Sequence, residues 1–160
     1  MADFQVYMEW LYIGRLVELS CNTSQATETL VRLYVLGDYI EDDHFSNPII
    51  DTIVQNSSYT APGMVRKSDT VDMAWREINP GSPLRKLLTR LIVCSLGHHA
   101  NTPKFLHFGT WSSEVSTDVF AGLRKRYDIR NAIREDLRYP VHSMDTCEYH
   151  LHGEGYPKCS

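Results

Sequence analysis

The sequence lacks any apolar run approaching the ~20 residues of a membrane-spanning helix. Its first residues, Met1-Ala2-Asp3-Phe4-Gln5, carry neither the basic start nor the apolar stretch of a secretory signal. These absences predict an intracellular protein, cytoplasmic or nuclear. Cysteine is scarce: Cys21, Cys94, Cys147 and Cys159 are the four in the chain, scattered as reduced thiols rather than grouped as a disulfide framework. Strand-like alternation of apolar and polar residues is missing, as is any internal repeat. Motifs of catalysis are missing too: no G-x-S-x-G elbow, Walker loop, H-E-x-x-H or dinucleotide fingerprint occurs, and Gly153-Glu154-Gly155 is a lone G-x-G. The adjacent His98 and His99 diverge by about 100° on a helix and cannot aim at one metal ion. The expectation is a chain with no enzymatic activity and no small-molecule cofactor.

What is present fits a globular domain: 160 residues, 42% of them hydrophobic and 22% charged, enough to close one core. The net charge of −4 is unevenly placed, with nine acids and two bases in residues 1–60 against eleven acids and fourteen bases in residues 61–160. Helical stripes follow one another along the chain. Phe4, Tyr7, Met8 and Leu11 fall at i, i+3, i+4 and i+7, with Gly14 as a stop and Trp10 and Tyr12 widening the buried face. Leu30, Leu33, Tyr34, Gly37 and Ile40 mark a helix over 29–40 that is apolar on most sides, and Gly37 lets another backbone come close. Glu41-Asp42-Asp43 reads as an exposed corner, with Ser46 or Asn47 capping the next helix and Pro48 in its first turn. Ile49, Ile50, Ile53 and Val54 follow on one face. Ser68 caps a helix bearing Val71, Ala74, Trp75 and Ile78. Ser82-Pro83 opens another with Leu84, Leu87, Leu88, Leu91 and Ile92 inward, Arg85, Lys86 and Arg90 on the wet side, and Gly97 at its close. Phe105, Phe108 and Trp111 anchor a loop, and a last helix runs from Thr117 to about Arg138. The predicted fold is mainly α, about six helices packed as one unit. Its expected core is Tyr7, Leu11, Leu30, Leu33, Ile40, Ile50, Ile53, Trp75, Leu84, Leu88 and Leu91.

Two clusters carry chemistry. Cys147, His150, His152 and Cys159 offer thiolate and imidazole, the preferred ligands of zinc, but their spacing matches no common structural zinc site, and the tail is expected to be metal-free. Arg126, Arg130, Arg134 and Arg138 line one helix face at i, i+4 spacing and could track phosphates. They share an arc with Val119, Leu123, Tyr127 and Leu137, so either the helix breaks near Asp128 or its apolar face is short. With Asp128, Glu135 and Asp136 beside it, this row is expected to be a salt-bridged surface or a docking face for an acidic partner rather than a nucleic-acid site.

Residues 4–14, Phe4-Gln5-Val6-Tyr7-Met8-Glu9-Trp10-Leu11-Tyr12-Ile13-Gly14, followed by Leu33-Tyr34-Val35-Leu36-Gly37-Asp38 and by Phe45, Asn47, Ile49, Ile50 and Asp51, resemble the second half of a fungal BTB/POZ domain. Asn79-Pro80-Gly81-Ser82-Pro83-Leu84-Arg85-Lys86-Leu87-Leu88 resembles a segment that follows that domain, and Cys147-Glu148-Tyr149-His150-Leu151-His152 is similar to the C-terminal region of such proteins. The match starts after the strands that open the domain, which hold much of what the family uses to dimerise and part of what some members use to contact cullin-type ubiquitin ligase scaffolds. The resemblance implies a partial BTB/POZ-like helical region over 1–57; the turn residues around Asn56-Ser57-Ser58 and Ala61-Pro62-Gly63 predict a linker over 58–67, the stripes a C-terminal helical region over 68–138, and Pro140, Gly153, Gly155 and Pro157 an irregular tail over 139–160. It implies a non-enzymatic protein interaction module, an adaptor or oligomerisation element. The family's helices pack against the missing sheet, so Phe4, Tyr7, Met8 and Leu11 are expected to stay partly exposed and to bind a protein partner or a second copy. The rival expectations are the zinc-binding tail, nucleic-acid contact through the Arg126 to Arg138 row, and a truncated product without independent function.

Overall fold

The computed structural model describes residues 2–16, 24–60, 68–98, 111–133 and 145–152. Among them the chain is mainly α: six helices and one 3₁₀ turn, with no strand. Helix α1 (Ala2–Ile13) stops at Gly14, whose φ of +70° suits a residue without a side chain and whose N–H donates to the Trp10 carbonyl. Helix α2 (Ser24–Tyr39) buries Leu30, Val31, Leu33 and Tyr34. It ends in a left-handed turn at Glu41, φ 56°, where the Asp42 N–H reaches back 3.0 Å to the Gly37 carbonyl. Helix α3 (Asp43–Thr60) lies so close to α2 that a Cβ on Gly37 would run into the Ser46 hydroxyl, the close approach that the glycine predicts.

The start of α3 differs from expectation. Asp42, not Ser46 or Asn47, is the cap, its Oδ1 accepting from the Phe45 N–H at 3.0 Å, and Pro48 sits inside the helix. The acidic corner is thus itself the start signal, and Ser46 is buried under Gly37. At its other end α3 continues to Thr60, beyond the expected boundary at 57; the Ser57 hydroxyl donates back to the Ile53 carbonyl at 2.6 Å, which satisfies this buried group inside the helix. Residues 61–67 of the expected linker lie outside the described residues.

Helices α4 (Ser68–Glu77) and α5 (Pro83–His98) complete the centre, with Val71, Ala74, Trp75, Leu84, Leu87, Leu88, Leu91 and Ile92 buried. Ser82 caps α5 and Pro83 fills its first position, as read; Gly97 lies within the helix rather than closing it. Arg85 departs from expectation: only 5% exposed, it is not on the wet side. Helix α6 (Ser113–Ile133) runs unbroken past Asp128 and packs through Val115 and Val119, with Leu123 at the edge, so its described apolar face belongs to the first half. Trp111 is buried at its entrance, while Phe105 and Phe108 lie outside the described residues. The tail is not wholly irregular: Thr146–Tyr149 forms a 3₁₀ turn seated on α3 and α5.

Candidate interaction surface

Helix α1 is apolar nearly all round, interrupted only by Asp3, Gln5 and Glu9. Such a helix can turn more than one side to a core, and side-chain pairing decides which. The Tyr7 hydroxyl donates to Asp42 Oδ2 at 3.1 Å, and Arg32 on α2 meets Asp3 at 3.3 Å. With those two ties set, Tyr7 and Trp10 meet Phe45 edge-on, at ring separations of 4.9 and 5.2 Å, and Val6 joins them against the core. Burial and the adjacent Asp42 carboxylate hold the Tyr7 phenol above its ordinary pKa.

The helix is therefore rotated from the predicted face. At 100° per residue Phe4, Met8 and Leu11 lie within about 60° of one another, roughly 120° around from the Val6, Tyr7 and Trp10 side. Leu11, expected in the core, is 50% exposed; Phe4 is 55% exposed and Tyr12, expected to widen the buried face, 84%. Of the four residues expected to bind a partner, Phe4 and Leu11 are exposed, Met8 is half-buried and Tyr7 is engaged inward. Ile40, also expected in the core, is half-buried in the turn after α2.

Beside this stripe a groove of about 670 Å³ runs between α1, α2 and α4. Half-buried Val35, Leu36 and Met73 and exposed Phe4 and Tyr39 give it apolar lining; Asp3, Asp38 and Glu77 give it acid. Among the described residues that line it Arg32 is the one cation, held by Asp3 and by Glu28 at 3.1 Å. Burial, with Asp43 nearby, raises the Asp38 carboxyl above the usual range. The sequence reading missed Tyr39, which is 85% exposed at the end of a helix otherwise inward.

The C-terminal cluster is assembled from distant segments. Asn47 pairs both ways with the Leu151 backbone, its amide donating to the carbonyl at 2.9 Å and its Oδ1 accepting from the N–H at 2.8 Å. His150 Nε2 lies 2.9 Å from Asp51, and Arg90 donates to Glu148 and to the Tyr149 hydroxyl, both at 2.9 Å. Cys147 Sγ lies 3.3 Å from His152 Nε2. Of the four zinc candidates the structure thus brings Cys147 and His152 together, turns the His150 Nε2 toward α3, and leaves Cys159 outside the described residues. Among the described residues no group of three or more His, Cys, Asp or Glu side chains is placed to hold a metal ion. Arg126 and Arg130 lie in α6, whereas Arg134 and Arg138 are outside the described residues. No described helix is long and apolar enough to cross a membrane. No known family, curated protein or solved structure matches the chain.

Proposed function

We propose that this chain is a non-enzymatic protein interaction module that associates through the outer side of α1 and the groove beside it, as an adaptor or oligomerisation element of BTB-like type. The observation that carries this reading is the grouping of exposed large apolar side chains: Phe4, Leu11, Tyr12 and Ile13 sit on α1, and Tyr39 joins Phe4 at the groove. Single exposed apolar residues are ordinary on a protein surface, but four large ones on one twelve-residue helix, with Tyr39 beside Phe4 at the groove, exceed that background. Its side chains lie outside the core, so selection for packing does not account for them. The Tyr7 and Arg32 ties fix the helix rotation that turns Phe4, Leu11 and Tyr12 outward.

Leu11→Glu/Tyr12→Glu tests the reading. Both side chains are exposed, so the variant keeps the helical circular dichroism and a melting temperature within a few degrees of the parent. It loses most of the binding of an apolar dye and any association seen by light scattering. A parent chain that neither binds the dye nor associates, or a variant that matches its parent in both, sinks the proposal.

A further inference from the structure

Outside α1 and Tyr39, the exposed large apolar side chain among the described residues is Phe120, 65% exposed on α6. Arg124 stands one turn on, on the same face, and Lys125 beside it, both exposed. An aromatic with a cation one turn along its face is the complement of a groove lined by Phe4 and Tyr39 and by more acid than base. In that groove Arg32 is already committed to Asp3 and Glu28; the other lining acids are Asp38 and Glu77, the latter also paired with its neighbour Arg76 at 2.7 Å. The two surfaces also reflect the division of charge along the sequence, the acidic first 60 residues supplying most of the groove and the more basic remainder supplying α6.

Resting on the interaction reading above, we infer that the occupant of the groove is a second copy of this chain, which inserts Phe120 between Phe4 and Tyr39 and brings Arg124 and Lys125 to Asp38 and Glu77. The surfaces are different patches of one molecule, so the contact is head-to-tail and a dimer keeps an unused groove on one copy and an unused α6 on the other. Association of this kind proceeds past the dimer and weakens with salt.

Sedimentation equilibrium from low to high micromolar concentration tests it. The parent chain is expected to grow past dimer mass as concentration rises. Phe120→Ala weakens association about thirtyfold and Glu77→Arg or Arg124→Glu/Lys125→Glu about tenfold each. Mixing the Glu77→Arg chain with the Arg124→Glu/Lys125→Glu chain leaves one parent interface intact and sets the two reversed charges against each other at the other, so the mixture associates more strongly than either variant alone. A parent that stays monomeric throughout, or association that ignores Phe120→Ala and both charge reversals, overturns the inference. If in either case the apolar dye still binds and Leu11→Glu/Tyr12→Glu removes it, the interaction reading survives with a different occupant.

Discussion

Arg85 carries a charge into the seam between α4, α5 and α6. Its Nη2 donates to the Trp75 carbonyl near the end of α4 and lies 3.2 Å from Glu114, while the guanidinium sits 5.6 Å from the centre of the Trp75 ring. The Trp75 indole in turn donates to Asp118 at 2.8 Å, so one aromatic ring ties three helices. Arg85→Ala removes a donor from a helix-end carbonyl and leaves a void, a loss of about 2–4 kcal/mol; Arg85→Met, which keeps the aliphatic stem, loses roughly half of that. Urea unfolding of the two variants checks the order, and equal losses would show that packing plays no part. The position was legible in hindsight: on a helical wheel Arg85 falls about 20° from Ile92, at the apolar edge, and its basic character alone directed it outward. Tyr34 gives a second expectation at this scale. Burial, with Asp38 nearby, pushes its phenol up to about 12. The unfolded chain therefore releases this proton first, at about pH 10, and stability falls as pH rises from there toward 12, by about 1.4 kcal/mol per unit. Tyr34→Phe removes that slope in alkaline denaturant titrations; an unchanged slope would assign it to other groups.

Helix stripes were legible wherever one face was apolar and the other wet. Ser68 to Ile78 and Leu84 to Ile92 satisfy that condition, and the structure buries the residues the periodicity selects. Helix α1 does not satisfy it. With apolar residues on most sides, i and i+3 spacing picks out a stripe without saying whether it faces in, and the Tyr7 to Asp42 bond that decides the matter spans 35 positions. The candidate surface was therefore half legible: Phe4 and Leu11 were named, Tyr39 and the acid around it were not. The boundary between α2 and α3 was hidden by a similar ambiguity, since an Asp in a run of acids reads equally as a corner or a cap. Glu41 holds the left-handed conformation there, which costs a residue with a side chain roughly 1 kcal/mol relative to glycine. Glu41→Gly is expected to raise stability by about 0.5–1 kcal/mol, read as a higher urea midpoint at constant slope. A lower midpoint would mean that the glutamate side chain stabilises the turn by more than its backbone strain costs.

At the scale of the whole molecule, the segment 145–152 ties the end of the described chain to α3 and α5. Glycine, proline and the lack of periodicity made the tail read as irregular, because what holds it is not periodic: Asn47 meets Leu151 across 104 positions and Arg90 meets Tyr149 across 59. Tyr149 is 3% exposed, so its ring belongs to the core that α3 and α5 share, and its hydroxyl is satisfied by Arg90. Truncating such a ring costs about 3–5 kcal/mol, whereas losing the two Asn47 bonds costs about 1–3 kcal/mol. Because both variants undock the same segment, their effects are not additive: Asn47→Ala in a Tyr149→Ala background is expected to lose less than in the parent. If these contacts suffice for the docking, dialysis against a chelator leaves the melting temperature unchanged; a drop that zinc reverses and that Cys147→Ser removes would show a metal holding the tail. Amide hydrogen exchange supplies the decisive reading. If the tail is integral, Tyr149→Ala raises exchange throughout α3 and α5 by a common factor, through the global unfolding free energy. Faster exchange confined to 145–152, with α3 and α5 unmoved, would make the segment a locally opening appendage and remove it from the cooperative core.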